Sequence, residues 1–526
     1  MFSVAPVVGP TMVTALAAHS KHPSRGHKRS VQLLLSVGAM IATASCGAID
    51  EPLRSELPTQ SADTQECAGW FKTLDETVDG AGVRDAEAYR IPGYPYLRVS
   101  RFLASFREQA QNDSSAFAAW EKRMRNLDAR ARSYELKNLP HHLLARLGAN
   151  SWSEAAARTD HCAAALATLD ATSAARRRVL TERAQVPDDY ADWKRTVGLY
   201  PAVSVAFFEF AKKWQNEAAA TFEQTAAGTM QQQNFIRYQP QGNAAPAQRI
   251  ASILARAKMD ALGIPQFSDG DRDILFATFA PIFEIETTGD YDRIGPLRWG
   301  SAETPEVDIS RPTVYRRLAF TRYGGRTLAQ LVYMIWFPER PQSNALDPLS
   351  GKLDGIIFRV TLGQTGHPLV YDSIHLCGCY HMFFPTAGVT PIPPPDPQVE
   401  WAFVPRTLPA IEAPQRVLVR MTSRSHYLDD VRPDIGGHGV VYTMADDGEL
   451  RTLPTAEGTR SAFGPNGIVP GTDRGERLVT WPLGIESAGA MREWGRHATA
   501  LVGRRQFDDA DLIERRFAIP PSAGHG

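Results

Sequence analysis

The 526-residue chain lacks an excess of either charge: 57 Lys and Arg stand against 58 Asp and Glu, a net charge of −1. Without a field that attracts phosphates, nucleic acid is not an expected partner. After residue 45 no apolar run approaches the ~20 residues of a membrane-spanning helix. The chain has no GxGxxG, phosphate-loop, GxSxG or HExxH pattern, so nucleotide chemistry and the serine-hydrolase elbow have no sequence basis. Cysteine is scarce, 5 in all, and each one asks for a reason. What remains is an ordinary globular composition, 43% hydrophobic and 22% charged, in a length that implies two domains or three.

The N-terminus departs from this average. Lys21, Arg25, Lys28 and Arg29 form a basic segment without acids, and the apolar run VQLLLSVGAMIATAS (31–45) follows it. A basic region, a short apolar core and small residues at a cleavage point make a secretory signal, too short for a stable anchor. With Ala44 and Ser45 ahead of Cys46, the stretch resembles a bacterial lipoprotein signal. The resemblance implies cleavage before Cys46, a lipid on that cysteine and attachment to a membrane of the bacterial cell envelope. Gly47 rather than Asp after the cysteine implies the outer membrane. Residues 47–65 are polar and aperiodic, a tether.

An exported chain meets an oxidising environment, where the remaining cysteines are expected to pair or to bind metal. The natural pairing is Cys67 with Cys162, closing a loop of about 95 residues worth about 4 kcal/mol in the chain-entropy model. Cys377 and Cys379 form the other pair.

Apolar spacings of three and four predict helices over 114–138, 151–185, 188–224, 245–263 and 268–286. Ser151 and Glu154 form a capping box at the second, and Pro201 interrupts the third. After residue 300 the pattern alternates. Strand pairs are expected around Gly324-Gly325 and around GQTGHP (363–368), with further strands at 416–423 and 439–454. Residues 487–505 are expected to be a helix. The fold class is therefore α+β: a signal (1–45), a tether (46–65), a helical domain (66–300) and a mainly antiparallel β-rich domain (301–526) with a C-terminal helix.

The densest chemistry lies in YDSIHLCGCYHMFF (371–384). In an extended strand His375, Cys377, Cys379 and His381 share one face. Fully extended, the two histidines stand ~20 Å apart, so gathering all four on one ion needs a bend at Gly378. Three readings compete. The four residues bind zinc or copper; or Cys377 and Cys379 are a redox pair or a histidine-assisted nucleophile for thiol exchange or acyl transfer; or the stretch is a packed turn in a non-catalytic binding or scaffold protein. His426 and His438 in a glycine-flanked loop, and Glu493 and His497 four apart on the expected last helix, are candidate supporting groups. Glu284, Glu286, Asp290 and Asp292 alternate as for calcium or acid–base work, but read as a solvated strand edge. His141 and His142 read as a helix start.

Overall fold

Asp113 accepts a hydrogen bond from Ala116 N at 2.7 Å and opens a helix that runs to Asn138, just ahead of Pro140. The computed structural model describes residues 59–170, 174–228, 234–300 and 304–520. The signal (1–45), the lipidation candidate Cys46 and most of the tether lie outside them. Helices α1 (Ala62–Ala81), α2 (Ser114–Asn138) and α3 (Trp152–Asp170) bury their apolar stripes against a short hairpin, Tyr89–Ile91 with Tyr94–Val99. Phe117, Trp120 and Met124 of α2 face this core. Ser151 accepts from Glu154 N while the Glu154 carboxylate accepts from Asn150 N, which fixes the start of α3. No described helix is long and apolar enough to cross a membrane.

Cys67 and Cys162 form a disulfide that ties α1 to α3, with Cα atoms 4.8 Å apart. Replacing both cysteines by serine is expected to lower stability by about 4 kcal/mol, because the unfolded chain regains the entropy of a long loop. Urea denaturation of the double variant measures this, and an unchanged midpoint would contradict it.

Helix α4 (Tyr200–Ala226) follows Leu199, which adopts a left-handed conformation. Pro201 occupies its first turn, so the proline starts this helix instead of interrupting it. The two C-terminal helical expectations of this half each end in a strand. The first stops at Arg256, and the second runs over Asp269–Phe279 before the chain extends.

A ten-stranded sheet forms the rest of the fold. In chain order its strands are β1 (Phe235–Pro240), β2 (Ile282–Glu286), β3 (Thr313–Tyr323), β4 (Arg326–Arg340), β5 (Gly351–Leu362), β6 (Pro368–His375), β7 (Met382–Pro385), β8 (Val417–Met421), β9 (Leu428–Pro433) and β10 (Val440–Asp446). In space the order is β7-β6-β5-β4-β3-β10-β1-β2-β8-β9. The hairpins β3–β4 and β5–β6 stand where the turn residues placed them. The sheet is mixed, with parallel joins at β3–β10, β10–β1 and β2–β8. Strands β1 and β2 come from the segment expected to be helical, and they lie inside the sheet. The described residues all belong to one compact unit.

The expected C-terminal helix is absent. Residues 487–505 form turns and bridges, and Gly489, Gly495 and Gly503 take positive φ. A Cβ at Gly495 would stand 2.6 Å from the Glu87 carbonyl oxygen. The segment carries helix-forming residues, but these glycines let it follow the protein surface closely and bury Met491, Arg492, Glu493 and His497.

Between this segment and α2 lies a buried ionic network. Arg98 binds Asp128 at 3.1 Å and Glu135 at 2.6 Å. Arg451 reaches Glu87 and Glu493 at 2.8 Å, Asp85 at 3.2 Å and Asp447 at 3.3 Å. Arg317 bonds both Glu87 and Asp447. Burial, with Asp85 close by, pushes Glu493 up to about 8 despite Arg451. Glu493 is therefore a structural member of this network.

Candidate functional site

Strand β6 ends at His375, and the chain reverses within a few residues to enter β7 at Met382. Two backbone bonds close the reversal: Gly378 N donates to His375 O at 2.7 Å, and His375 N donates to Cys379 O at 3.0 Å. Gly378 has φ 93°, and a Cβ on it would lie 2.6 Å from the Ala498 carbonyl oxygen. Only glycine fits. Tyr380 follows in the left-handed region.

This turn breaks the alternation that would have put four ligands on one face. Residues 372 and 375 are on opposite faces of β6. His381 returns to Asp372, bonding it through Nε2 at 2.9 Å, with Phe383 stacked on its ring. His375 turns to Asp354 on the other face, Nδ1 to Oδ1 3.5 Å. The sheet therefore separates the two imidazoles. Among the described residues the ligand atoms of His375, Cys377, Cys379 and His381 do not gather in one coordination sphere, and the residues do not fit the zinc or copper site expected of them. The one trio of ligand types that converges among the described residues is Asp63, Cys67 and His161, and there the sulfur is already in the disulfide.

The two thiols do meet. Cys377 and Cys379 are unbridged and hydrogen-bonded to each other. Cys377 is buried in the core beside Leu376 and Met491, whereas Cys379 is half-buried. The bond from Cys379 pulls Cys377 below the ordinary thiol range, and the same bond, with burial, raises Cys379. Cys377 is thus the sulfur of the pair that gives up its proton first. Arg492 donates to the Cys377 carbonyl oxygen at 3.3 Å.

His426, named as a supporting group, proves central to a second cluster. Its ring lies parallel to Phe337 at 3.8 Å. Nδ1 meets Asp354 Oδ2 at 2.9 Å, and Nε2 lies 3.3 Å from Asp292 Oδ1. Cross-strand register explains the convergence: Phe337 of β4 is opposite Asp354 of β5, and Ile356, two residues on, is opposite His375. The result is a buried chain of alternating acid and imidazole, Asp292–His426–Asp354–His375.

Burial works against the charged form of each member, and the partners decide the outcome. Burial pulls His426 down, but Asp292 and Asp354 outweigh it and hold the imidazole above its usual value. Burial would raise Asp354, yet His375, His426 and Arg474 keep its carboxyl well below the carboxylate range. Asp292 is likewise drawn down against burial to about 2, by His426, the Arg424 and Thr288 amides and the Ser423 hydroxyl. His375 stays neutral, its affinity for protons lowered first by burial and further by Arg340 and His426.

Of the six non-glycine residues described with positive φ, four border this chain: Leu353, Tyr380, Arg424 and His426. Such backbone costs of order 1–3 kcal/mol per residue and collects at functional sites.

Asp292 belonged to the alternating acids read as a solvated edge; it is instead fully buried. Glu284 pairs with Arg237. His438 is exposed, and His497 bonds the Leu376 carbonyl through Nε2 at 3.1 Å, so neither enters the chain. Asp354 and Asp372 escaped the sequence reading altogether. Their signal was a single carboxylate inside an otherwise apolar strand, in LDGIIF and LVYDSI. Comparison with family models, curated proteins and solved structures found no match.

Proposed function

We propose that this chain is an exported lipoprotein, held by a lipid on Cys46 at the outer membrane of a bacterial envelope, that exchanges thiols and disulfides at Cys377 and Cys379. The observation that carries the catalytic part is the hydrogen-bonded sulfur pair across Gly378, with Cys377 buried in the core and Cys379 only partly buried. The Cys67–Cys162 bridge accords with an oxidising compartment.

Moving the shared proton transfers the thiolate from Cys377 to Cys379, the accessible sulfur. That thiolate attacks one sulfur of a protein disulfide. The partner's S–S bond breaks, one partner thiolate leaves, and a mixed disulfide remains. Cys377 then attacks Cys379, closes the internal bridge and releases the second partner thiol. Two electrons pass to the partner, which is thereby reduced.

Alkylation of the full chain with iodoacetamide near pH 7, read by peptide mass, tests this. The expected result is modification of one sulfur of the pair several-fold faster than free glutathione, and slower once Cys377→Ser removes the thiolate partner. In glutathione buffers a Cys377–Cys379 bridge should form and reopen while Cys67–Cys162 stays closed. Slow, unselective alkylation together with no reversible bridge would defeat the proposal.

A further inference from the structure

The acid–imidazole chain ends in a group with nothing to do. His375 is 3% exposed, its Nδ1 faces Asp354, and its Nε2, across the ring, has no hydrogen-bond partner among the described residues. A buried polar atom without a partner costs about 1–3 kcal/mol. Around that ring stand Tyr380, with centroids 5.0 Å apart, and Tyr427 at 5.6 Å. Arg340 lies over the Tyr427 ring at 5.0 Å and donates to its hydroxyl at 3.1 Å. No carboxylate lies within salt-bridge distance of Arg340 among the described residues. Tyr380, Tyr427 and Arg340 are all half-buried, so the rim of this cluster meets solvent while its floor does not. Trp214 of α4 packs on Tyr380 and extends the aromatic wall.

We infer that His375, Arg340, Tyr380 and Tyr427 form a hydrolytic site for carboxylic esters, separate from the thiol pair. An oriented neutral imidazole accepts a proton from water, and a fixed guanidinium suits the single negative charge that develops on a carbonyl oxygen. Water gives its proton to His375 Nε2 as its oxygen bonds to the ester carbon, and the carbonyl π electrons move onto oxygen opposite Arg340. Collapse restores the carbonyl and expels the alcohol oxygen, which takes the proton back from Nε2. The products are a carboxylic acid and an alcohol. Asp354 keeps the Nδ1 proton in place and remains ionised throughout, clamped by His426. The aromatic wall receives the apolar part of the ester. Backbone held in the left-handed region at Tyr380 and His426 fits this reading, since it aims two of these groups at a cost the fold has absorbed.

The groups facing His375 fix the expected pH profile. Asp354 favours its charged form, burial, Arg340 and His426 oppose it, and Tyr380 and Tyr427 are neutral until strongly alkaline pH, each raised by burial. The base form is therefore present from mildly acidic pH upwards.

The test uses the full chain and 4-nitrophenyl esters from acetate to octanoate. Turnover should follow His375 deprotonation, falling only below the ordinary histidine range. His375→Ala should lose about a hundredfold or more, and added imidazole should restore part of it. Arg340→Lys should reduce kcat more than it raises KM. No protein-bound acyl group should accumulate. Absence of turnover in folded protein, an unchanged rate in His375→Ala with an unaltered melting profile, or an acyl group found on Cys377 or Cys379 would each overturn the inference.

Discussion

Replacing His426 by leucine is expected to destabilise the protein by about 3–5 kcal/mol near neutral pH. The imidazole lies between two buried carboxylates, 2.9 Å from Asp354 and 3.3 Å from Asp292, which favour its charged form. Leucine fills the volume against Phe337 but leaves both acids facing each other without the cation. The pH dependence distinguishes this from simple repacking. In the native protein His426 is raised above its unfolded value. Its contribution is complete below about pH 6.5 and is lost as pH rises through its folded value. Asp292 is depressed to about 2, so its contribution is complete above about pH 4 and is lost as pH falls towards 2. In the leucine variant the two acids take up protons instead, so below about pH 6.5, where the His426 contribution is already complete, its deficit should shrink as pH falls from about 6 to about 5. Urea titrations at these two values suffice. A deficit independent of pH would mean that His426 acts by packing alone.

Arg451→Met is expected to be equally severe, at about 3–5 kcal/mol. One guanidinium satisfies Glu87, Glu493, Asp85 and Asp447, all within 3.3 Å. Methionine preserves much of the volume but strands a cluster of buried negative charge. Glu493 already holds its proton well above the carboxylate range, so Glu493→Gln should cost little below pH 7. Combined with Arg451→Met it should recover part of the loss at alkaline pH, where Glu493 would otherwise ionise and add one more stranded charge. Thermal unfolding of both single variants and the double variant gives the coupling directly. Strict additivity would show that the two side chains act independently, contrary to the 2.8 Å contact.

Local signals were legible in the sequence where local physics decides. Spacing and the proline stop set α2, and the double glycine set the β3–β4 reversal. Residues 487–505 were misread because Ala, Met, Arg and Glu favour a helix, whereas the close passage at Glu87 and the left-handed glycines are tertiary facts. The membership of the sheet was hidden for the same reason: β1 and β2 are short, follow helices, and find partners that lie far along the chain. The candidate site was half visible. The sulfur pair and His375 stood out by composition, and His426 by its glycine-flanked loop. Their sorting onto two faces depends on a turn that only the Ala498 carbonyl makes obligatory. Asp354 and Asp292 lie far from both histidines in sequence, so no spacing rule joins them.

The arrangement of strands also sets an order of events for a newly made chain. The middle of the sheet joins residues 235–240 to 440–442, and 282–285 to 418–421. Neither β1 nor β2 has its outer neighbour until almost the whole polypeptide has emerged. As the chain emerges the early helices can assemble and bridge Cys67 to Cys162, while two edges stay bare and prone to stray pairing. Those edges need guarding until the last strand arrives.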